Sequence, residues 1–341
     1  QSTLDAVQFH AETVATLEDV LECRPRVIAH DLHPGYATTR WAHERSGHGR
    51  ELIAVQHHHA HLAAVQAEHG LAGPAVGLIM DGTGYGSDGT IWGGEVLVGD
   101  AGGFVRAGHF EQVPLPGGDA AIRSPWRQAV SYLRHAHGPD FFAAHPAEFP
   151  FQADRPVAPV LEMLQQDVNS PLTSSCGRLF DAVAAIVGPW TEATYEAQAA
   201  IEFMALTDHG RTARAPAFAA VLEELDASLA LAGRTADGED APAFTLPVAA
   251  FVRSVREARR AGLNPDELSA RFHRTLIDVL GRAAAWTCDR HGLRDVILGG
   301  GVFQNEILVV GVEKALRDAG LEVWRPRELP AGDGAVALGQ A

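Results

Sequence analysis

The segment QHHHAH (56–61) contains the densest group of potential metal ligands in the sequence. Residues four apart share one face of an α-helix, so His57 and His61 can present ring nitrogens to the same ion. The segment directly follows an apolar run, ELIAV (51–55), and ligand sites of α/β proteins often lie where strands end. A packed or solvated helix face is the alternative, and the spacing alone leaves both interpretations open.

A glycine-rich segment, DGTGYGSDG (81–89), follows the apolar run AVGLIM (75–80). Its glycines would let backbone N–H groups approach an anion, and Asp81 could bind a metal or a metal-bound water. A simple hairpin turn explains the same residues. The spacing fits neither a dinucleotide-binding GxGxxG nor a P-loop. A glycine turn between two strands is instead typical of the way actin-like ATPases and sugar kinases hold phosphates.

A second glycine turn, GGGVFQN (299–305), lies between an apolar run and a helix predicted to start near Asn305. Such a turn accommodates a flat nucleoside, and the helix N-terminus favours negative charge. A tight strand–helix connection is the structural alternative. Asp333 precedes the last predicted helix, where it could act only as an N-cap. If the fold brings that helix back to His57 and His61, the carboxylate could complete a site of two histidines and one carboxylate.

Alternating strands and helices must position these groups, which favours an α/β fold. The sequence predicts helices over residues 10–23 and 56–70, strands at 26–30, 51–55, 75–80 and 296–298, and a hairpin over 90–110. Asn264, Pro265 and Glu267 predict the start of an amphipathic helix. Residues 208–245 predict one surface helix with loops. The polar, helix-like opening suggests that strands preceding it in the fold are missing.

Composition narrows the functional class. The formal net charge of −16 disfavours a nucleic-acid partner, because neutralising phosphates requires clustered Lys and Arg. The three cysteines are far apart, which excludes a zinc ribbon or a dense disulfide framework and favours a reducing cytoplasm. No apolar run approaches the roughly 18 residues of a membrane span. No signal peptide opens the sequence. We therefore expect a cytoplasmic protein without a membrane partner.

Taken together, these motifs resemble the HypF family of hydrogenase-maturation carbamoyltransferases, over residues 28–341. The motifs that carry the resemblance occur in the family's order and approximate spacing: IAHDLHPGYATTR, VQHHHAH, DGTGYGSDGTIWGGE, LPGGDAAIRSPWR, NSPLTSSCGRLFDA, YEAQAA, GGGVFQN and DGAVALGQA. Related enzymes are the antibiotic O-carbamoyltransferases and the tRNA threonylcarbamoyl transferases of the TsaD family. Two positions near the C-terminus depart from the family's NDGG, with Gly332 for Asn and Ala335 for the second Gly. Ala197 stands where the family usually has Gly.

The resemblance implies a two-lobed, actin-like ATPase fold with ribonuclease-H-like lobes and with nucleotide and metal in the cleft. Residues 1–72 plus 322–341 would form the first lobe, without its N-terminal strands. Residues 73–321 would form the second lobe, with an insertion at about 112–175.

The resemblance also implies an activity. In the family, a YrdC-like domain makes carbamoyl-adenylate from carbamoyl phosphate and ATP. The part that resembles this chain transfers the carbamoyl group to the C-terminal cysteine of HypE, towards the cyanide ligands of [NiFe] hydrogenase. The expected partners are HypE and a YrdC-like domain or chain upstream. O-carbamoyl transfer, threonylcarbamoyl transfer to tRNA, and a non-catalytic module that docks HypE are the alternatives.

Site residues follow from the matched motifs. His57, His61 and Asp333 would bind one divalent metal, with iron or zinc preferred over magnesium or manganese. Asp81 would lie beside the ion at the reacting phosphate, and His58 is a candidate base, with a packed histidine as the alternative. The residues expected to bind ATP or carbamoyl-adenylate are Gly82, Gly84, Gly86, Gly177, Arg178, Asp181, Glu196, Gly300, Gly301 and Asn305.

Overall fold

The chain folds around two β-sheets, because its apolar runs pair as strands while its amphipathic runs cover them. A computed structural model describes residues 4–47, 49–234 and 244–341. The strands are β1 (Val27–Asp31), β2 (Glu51–Val55), β3 (Ala75–Tyr85), β4 (Ile91–Asp100), β5 (Gly103–Phe110), β6 (Val113–Pro114), β7 (Leu172–Thr173), β8 (Phe244–Leu246), β9 (Asp295–Gly299) and β10 (Glu322–Trp324).

Sixteen helices of very different length surround these strands in the described residues. They are α1 (Leu4–Val20), α2 (Ala37–Ser46), α3 (His57–His69), α4 (Asp119–Arg123), α5 (Pro125–His137), α6 (Phe141–Ala144), α7 (Phe151–Asp154), α8 (Val157–Gln166), α9 (Cys176–Val187), α10 (Gln198–Met204), α11 (His209–Arg214), α12 (Ala219–Ala232), α13 (Val248–Arg260), α14 (Pro265–His291), α15 (Glu306–Asp318) and α16 (Val336–Gln340). Across the described ranges, every helix is too short or too polar to cross a lipid bilayer.

The larger sheet has the strand order β10-β9-β3-β4-β5-β8, with the short strands β6 and β7 beside β4. Strands β3, β4 and β5 form an antiparallel meander, whereas β9 runs parallel to both β3 and β10. The smaller sheet consists of β1 and β2, paired in parallel. The lobe division predicted from the sequence stays a prediction; β10, from the segment assigned to the first lobe, pairs within the larger sheet.

Strand β3 is buried on both faces, which explains its nearly continuous apolar sequence. Val76, Leu78 and Met80 point into the main hydrophobic core. Ile79 points to the opposite face, where it packs in a smaller cluster with Leu62 of α3. The central strand therefore places α3 on one face of the larger sheet.

The glycine-rich segment after residue 80 is an extension of β3 and not, as predicted, a turn that begins directly after the buried run. Pairing with β4 continues through Gly84 and Tyr85 beyond an irregularity between Met80 and Gly84. The turn itself is short: Gly86 N–H donates to the Thr90 carbonyl at 2.9 Å. Antiparallel pairing thus carries the strand past Asp81 and fixes that side chain at a bulge.

Two helix predictions had opposite outcomes. The predicted start of α14 is confirmed, because the Asn264 side chain accepts a hydrogen bond from Glu267 N–H at 2.9 Å. The prediction of a single surface helix over 208–245 is wrong, since α11 and α12 both lie there, and residues 235–243 of it fall outside the described residues. Val221 and Leu225 lie four residues apart on one face of α12, and this face is buried.

The last helix, α16, packs closely against α3 at Gly339. A Cβ atom at this position would lie 1.8 Å from the carbonyl oxygen of Ala60. We expect Gly339→Ala to lower the free energy of unfolding by about 1–3 kcal/mol, because the helices must separate. Chemical denaturation measures this loss. Gly103→Ala is the control, since a Cβ there meets nothing within 4 Å, and equal stability of the two variants would contradict the prediction.

Candidate functional site

Four side chains from three parts of the chain bring their ligand atoms together. His57 and His61 come from α3, Asp81 from the bulge of β3, and Asp333 from a single 3₁₀ turn before α16. The ligand atoms of all four lie within 4.8 Å of one another. The structure thus brings together the three predicted metal ligands and Asp81, which was expected beside the ion.

The distances within this cluster suit a shared ion. The Nε2 atom of His57 lies 3.3 Å from Asp81 Oδ2 and 3.4 Å from Asp333 Oδ1. The Nε2 atom of His61 lies 3.3 and 3.7 Å from the same two oxygens.

Three atoms of the cluster are buried without a hydrogen-bond partner among the described residues: His57 Nε2, His61 Nε2 and Asp81 Oδ2. Leaving buried polar atoms unpaired costs free energy, and a cation at their centre would satisfy all three at once. Imidazole nitrogens with carboxylate oxygens are a donor set for iron, zinc or manganese. The residues therefore fit a divalent metal.

The electrostatics of the cluster also favour a cation. Burial alone would lower the pKa of His57, but the carboxylates of Asp31, Asp333 and Asp81 raise it to about 12. Burial would raise the pKa of Asp81, but the two neighbouring histidines hold it well below its usual range. Negative potential at this point attracts positive charge, so a metal ion would compete with protons for the same atoms.

Asp31, which the sequence analysis did not identify, orients one of the histidines. Its Oδ2 lies 2.9 Å from His57 Nδ1, and its Oδ1 accepts a hydrogen bond from His33 N–H at 2.8 Å. With Nδ1–H donating to Asp31, His57 Nε2 faces the cluster, where it can bind a metal when it gives up its proton. Carboxylates in this position fix the tautomer and orientation of metal-binding histidines. The position of Asp31 at the end of the apolar run VIAHD could have identified it from the sequence.

We expect Asp31→Asn to weaken metal affinity about 10- to 100-fold, because the amide no longer holds His57 by an ionic hydrogen bond. Competition with a chelator measures the dissociation constant directly. Asp19→Asn, on exposed α1, is the matched control and should leave affinity unchanged. Equal affinity of the Asp31 and Asp19 variants would show that Asp31 does not support the site.

His58 is fully buried and turns away from the cluster. Its Nδ1 lies 3.1 Å from Gln56 Nε2, and its ring packs against Gly84 and near Trp92. Burial and the neighbouring His57 lower the pKa of His58 well below its usual value. The predicted role as a base stays untested, and this environment favours the packed-histidine alternative.

The three glycines after Asp81 differ in what surrounds them. A Cβ on Gly84 would lie 2.5 Å from the ring of His58, and a Cβ on Gly86 would lie 2.2 Å from Trp92 Nε1. At Gly82 the nearest atom is Arg178 Nη2, 3.8 Å away. Close packing thus explains two of the glycines, whereas Gly82 has free space where a side chain would be.

Helix α9 begins beside Gly82. The hydroxyl of Ser175 donates to the carbonyls of Asp81 and Gly82, at 2.9 and 2.7 Å, and accepts from Arg178 N–H. A Cβ on Gly177 would lie 3.0 Å from Gly82 Cα, so glycine permits the close approach. The helix N-terminus therefore lies beside Gly82, where its N–H groups favour negative charge.

Arg178 and Asp181 form a buried ion pair one turn apart, with an N–O distance of 2.9 Å. Burial raises the pKa of Asp181, although Arg178 opposes the shift. The Nε and Nη1 atoms of Arg178 have no partner among the described residues, so this guanidinium retains donors for an anionic ligand. The role of Asp181 in nucleotide binding stays a prediction.

The second glycine turn meets the first at Asp81. Gly301 N–H donates to Asp81 Oδ1 at 3.1 Å, and Gly82 N–H donates to the same oxygen at 2.8 Å. Gly300 has φ +94°, and a Cβ there would lie 2.3 Å from the Met80 carbonyl oxygen, so only glycine fits. The two predicted nucleotide segments are thus adjacent.

Glu196 stays apart from the other predicted site residues. It is exposed on the loop before α10, and no hydrogen bond or ion pair joins it to them among the described residues. The next residue, Ala197, has φ +57°, which explains why glycine would suit that position.

Asn305 is held by protein contacts at both ends of its side chain. Its Oδ1 caps α15 by accepting from Leu308 N–H at 3.0 Å, and its Nδ2 lies 2.9 Å from His273 Nε2. His273 is fully buried among phenylalanines, with Nδ1 2.8 Å from the Ser269 carbonyl oxygen. A neutral imidazole that donates at Nδ1 and accepts at Nε2 satisfies both contacts.

We expect the His273 site to make stability sensitive to acid. Burial lowers the pKa of His273 from 6.5 to about 4, although the Ser269 carbonyl opposes the shift. The unfolded chain therefore binds a proton first, and stability falls as the pH drops from about 6.5 to about 4, by at most about 1.4 kcal/mol per pH unit. Denaturation across this range should show a shallower slope for His273→Gln. His291→Gln, exposed at the end of the same helix, should keep the wild-type slope; identical slopes in all three proteins would contradict the prediction.

Both the sequence and the fold of the chain are similar to those of known proteins. Residues 2–68 match the model of the HypF Kae1-like domain, and residues 77–340 match that of the carbamoyltransferase Kae1-like domain, second subdomain. The chain is 41% identical over 338 residues to carbamoyltransferase HypF2 of Cupriavidus necator, covering 96% of this chain and 41% of the relative. It is 39% identical over 336 residues to carbamoyltransferase HypF of Rhizobium leguminosarum bv. viciae, covering 98% and 40%. The chain thus spans about two fifths of these relatives.

The fold agrees with these matches. A crystal structure of full-length HypF in the phosphate- and nucleotide-bound form superposes with a TM-score of 0.85 at 30% sequence identity, covering 100% of this chain and 50% of that one. This similarity confirms the predicted α/β, actin-like fold class.

Proposed function

The chain belongs to the HypF family, and on this basis we propose that it is a carbamoyltransferase domain acting in hydrogenase maturation. The observation that supports this most directly is the cluster of His57, His61, Asp81 and Asp333. It lies against two glycine segments and near the Arg178 guanidinium, which keeps donors for a nucleotide.

In the finer form of the proposal, the donor is carbamoyl-adenylate and the acceptor is the C-terminal cysteine thiol of HypE. A YrdC-like domain or chain would make the adenylate from carbamoyl phosphate and ATP. The thiolate sulfur would attack the carbamoyl carbon, the bond from that carbon to the phosphate oxygen would break, and AMP would leave. The product is a thiocarbamate that leads to the cyanide ligands of [NiFe] hydrogenase. This chemistry would take place in the cytoplasm.

His57, His61, Asp81 and Asp333 would hold one divalent ion, with iron or zinc preferred and magnesium or manganese as alternatives. When bound, the ion would supply positive charge that neutralises phosphate oxygens of the nucleotide.

Groups of the chain itself would bind and orient the adenylate. The Nε and Nη1 atoms of Arg178 would donate hydrogen bonds to anionic oxygens, and the space beside Gly82 would let the adenylate approach. Ser175 would keep Gly82 against the N-terminus of α9. The Gly300–Gly301 turn would lie beside the adenosine, with Asn305 fixing the start of α15 behind it.

The proton of the acceptor thiol needs a base that the incoming cysteine can reach. His58 was the candidate from the sequence, but its complete burial and lowered pKa make it the weaker choice. The acceptor cysteine belongs to another protein, so its proton would pass to an accessible group or to the leaving phosphate.

The proposal is tested by mixing the chain with synthetic carbamoyl-adenylate and HypE, and by detecting thiocarbamate with mass spectrometry. We expect His61→Ala to lose the metal and to lower the transfer rate at least about 100-fold, equivalent to about 2.7 kcal/mol in the barrier. His59→Ala is the matched control, because His59 lies on another face of α3 and contacts the Asp100 carbonyl. Wild-type transfer by the His61 variant without metal would overturn the metal assignment.

The same assay distinguishes the other candidate functions. A module that only docks HypE would bind it without forming thiocarbamate. Transfer to a small-molecule hydroxyl instead of HypE would indicate an O-carbamoyltransferase. Threonylcarbamoyl transfer to tRNA is disfavoured by the net charge of −16, and a tRNA gel shift at modest salt would detect it.

A further inference from the structure

The C-terminal end of α3 holds the loop that leads to Asp333. The carboxylate of Glu68 accepts hydrogen bonds from three consecutive backbone N–H groups: Arg327 at 3.0 Å, Glu328 at 2.6 Å and Leu329 at 3.3 Å. Successive N–H groups that converge on one anion form a backbone nest. The contact joins residues about 260 positions apart in sequence.

The neighbouring residue strengthens this attachment. His69 Nε2 lies 2.9 Å from the Arg325 carbonyl oxygen, and the His69 ring lies 5.2 Å from that of Trp324. The last two residues of α3 therefore hold the chain from the end of β10 to Leu329.

Helix physics alone does not favour a carboxylate at this position. The C-terminal end of a helix carries partial negative charge, so an acidic side chain in the last turn is unfavourable. The contact with the loop offsets this penalty: burial would raise the pKa of Glu68, but the N–H groups of Glu328, Arg327 and Leu329 lower it.

Asp333 depends on such external support more than the other three members of the cluster do. Its side chain is 77% exposed, whereas that of Asp81 is 10% exposed and that of His61 only 2%. It follows Leu329 by four residues and sits on a single 3₁₀ turn. Beyond it, α16 packs on α3 at Ala60. The segment that carries Asp333 is thus anchored at both ends to the helix that carries the histidines.

We infer that Glu68 is a positioning residue for Asp333: by holding the backbone of residues 327–329, it places the Asp333 carboxylate against His57 and His61. The inference rests on the proposed metal site and names a residue that does not touch the metal. One rigid helix, α3, would then set the distance between the histidines and the exposed carboxylate.

Glu68→Gln tests this inference with small structural disturbance. The amide keeps one oxygen that can accept from the three N–H groups, but it loses the negative charge and the second acceptor oxygen, which lies 3.2 Å from Arg327 N. We expect metal affinity, measured by chelator competition, to fall about 10- to 100-fold, as for other residues that support metal ligands. Glu44→Gln, an exposed glutamate on α2, is the matched control and should bind metal like the wild type.

A double-mutant cycle separates positioning from general damage. In the Asp333→Ala background, Glu68→Gln should cause no further loss of metal affinity, because the carboxylate it positions is gone. Hydrogen exchange of the metal-free protein should accelerate at residues 327–335 in the Glu68 variant, while α3 keeps its protection.

Two results would overturn the inference: unchanged metal affinity in Glu68→Gln, or an equal loss with and without Asp333. Either result would leave the proposed carbamoyl transfer intact. A wild-type chain that binds no divalent ion would instead remove the metal site itself, and with it both the metal part of the proposed function and this inference.

Discussion

The site depends on one buried carboxylate, that of Asp81. Its Oδ1 accepts hydrogen bonds from the N–H groups of Gly82 and Gly301. Its Oδ2 lies 3.3 Å from the Nε2 atom of each cluster histidine. A buried anion is costly unless hydrogen bonds or opposite charges surround it, so these partners must come together when Asp81 is buried. That requirement fixes β9 beside β3, because β9 leads to Gly301. It also fixes α3 across the same end of the sheet.

Helix α3 connects the remaining parts of the site. Its first turns carry the two histidines, its apolar face packs on β3 through Leu62, and its last turn holds the loop before Asp333. The smaller sheet contributes through Asp31, which orients His57 from outside the cluster. His57 and Asp81 are thus each held by hydrogen bonds from outside the cluster, and rigid support of this kind keeps metal affinity high.

The proposed function divides the reaction between this domain and its partners. The chain spans about two fifths of its curated relatives, and it holds a metal-ligand cluster beside two glycine segments. Such a site suits binding an adenylate and orienting its carbamoyl carbon. Under the proposed function, formation of that adenylate is left to a YrdC-like partner, and the acceptor thiol comes from HypE.

Features that depend on neighbouring residues could be predicted from the sequence alone. The four-residue spacing of His57 and His61 put both on one helix face, and Asn264 set the start of α14. Other contacts became visible only in the fold: Asp31 behind His57, and Glu68 under the loop to Asp333. The packing roles of Gly84 and Gly86 also needed the fold, since the rings they accommodate come from other elements. Helical period and capping act over a few residues and are visible locally. Strand pairing and burial bring together residues tens to hundreds of positions apart, and no local pattern specifies which ones meet.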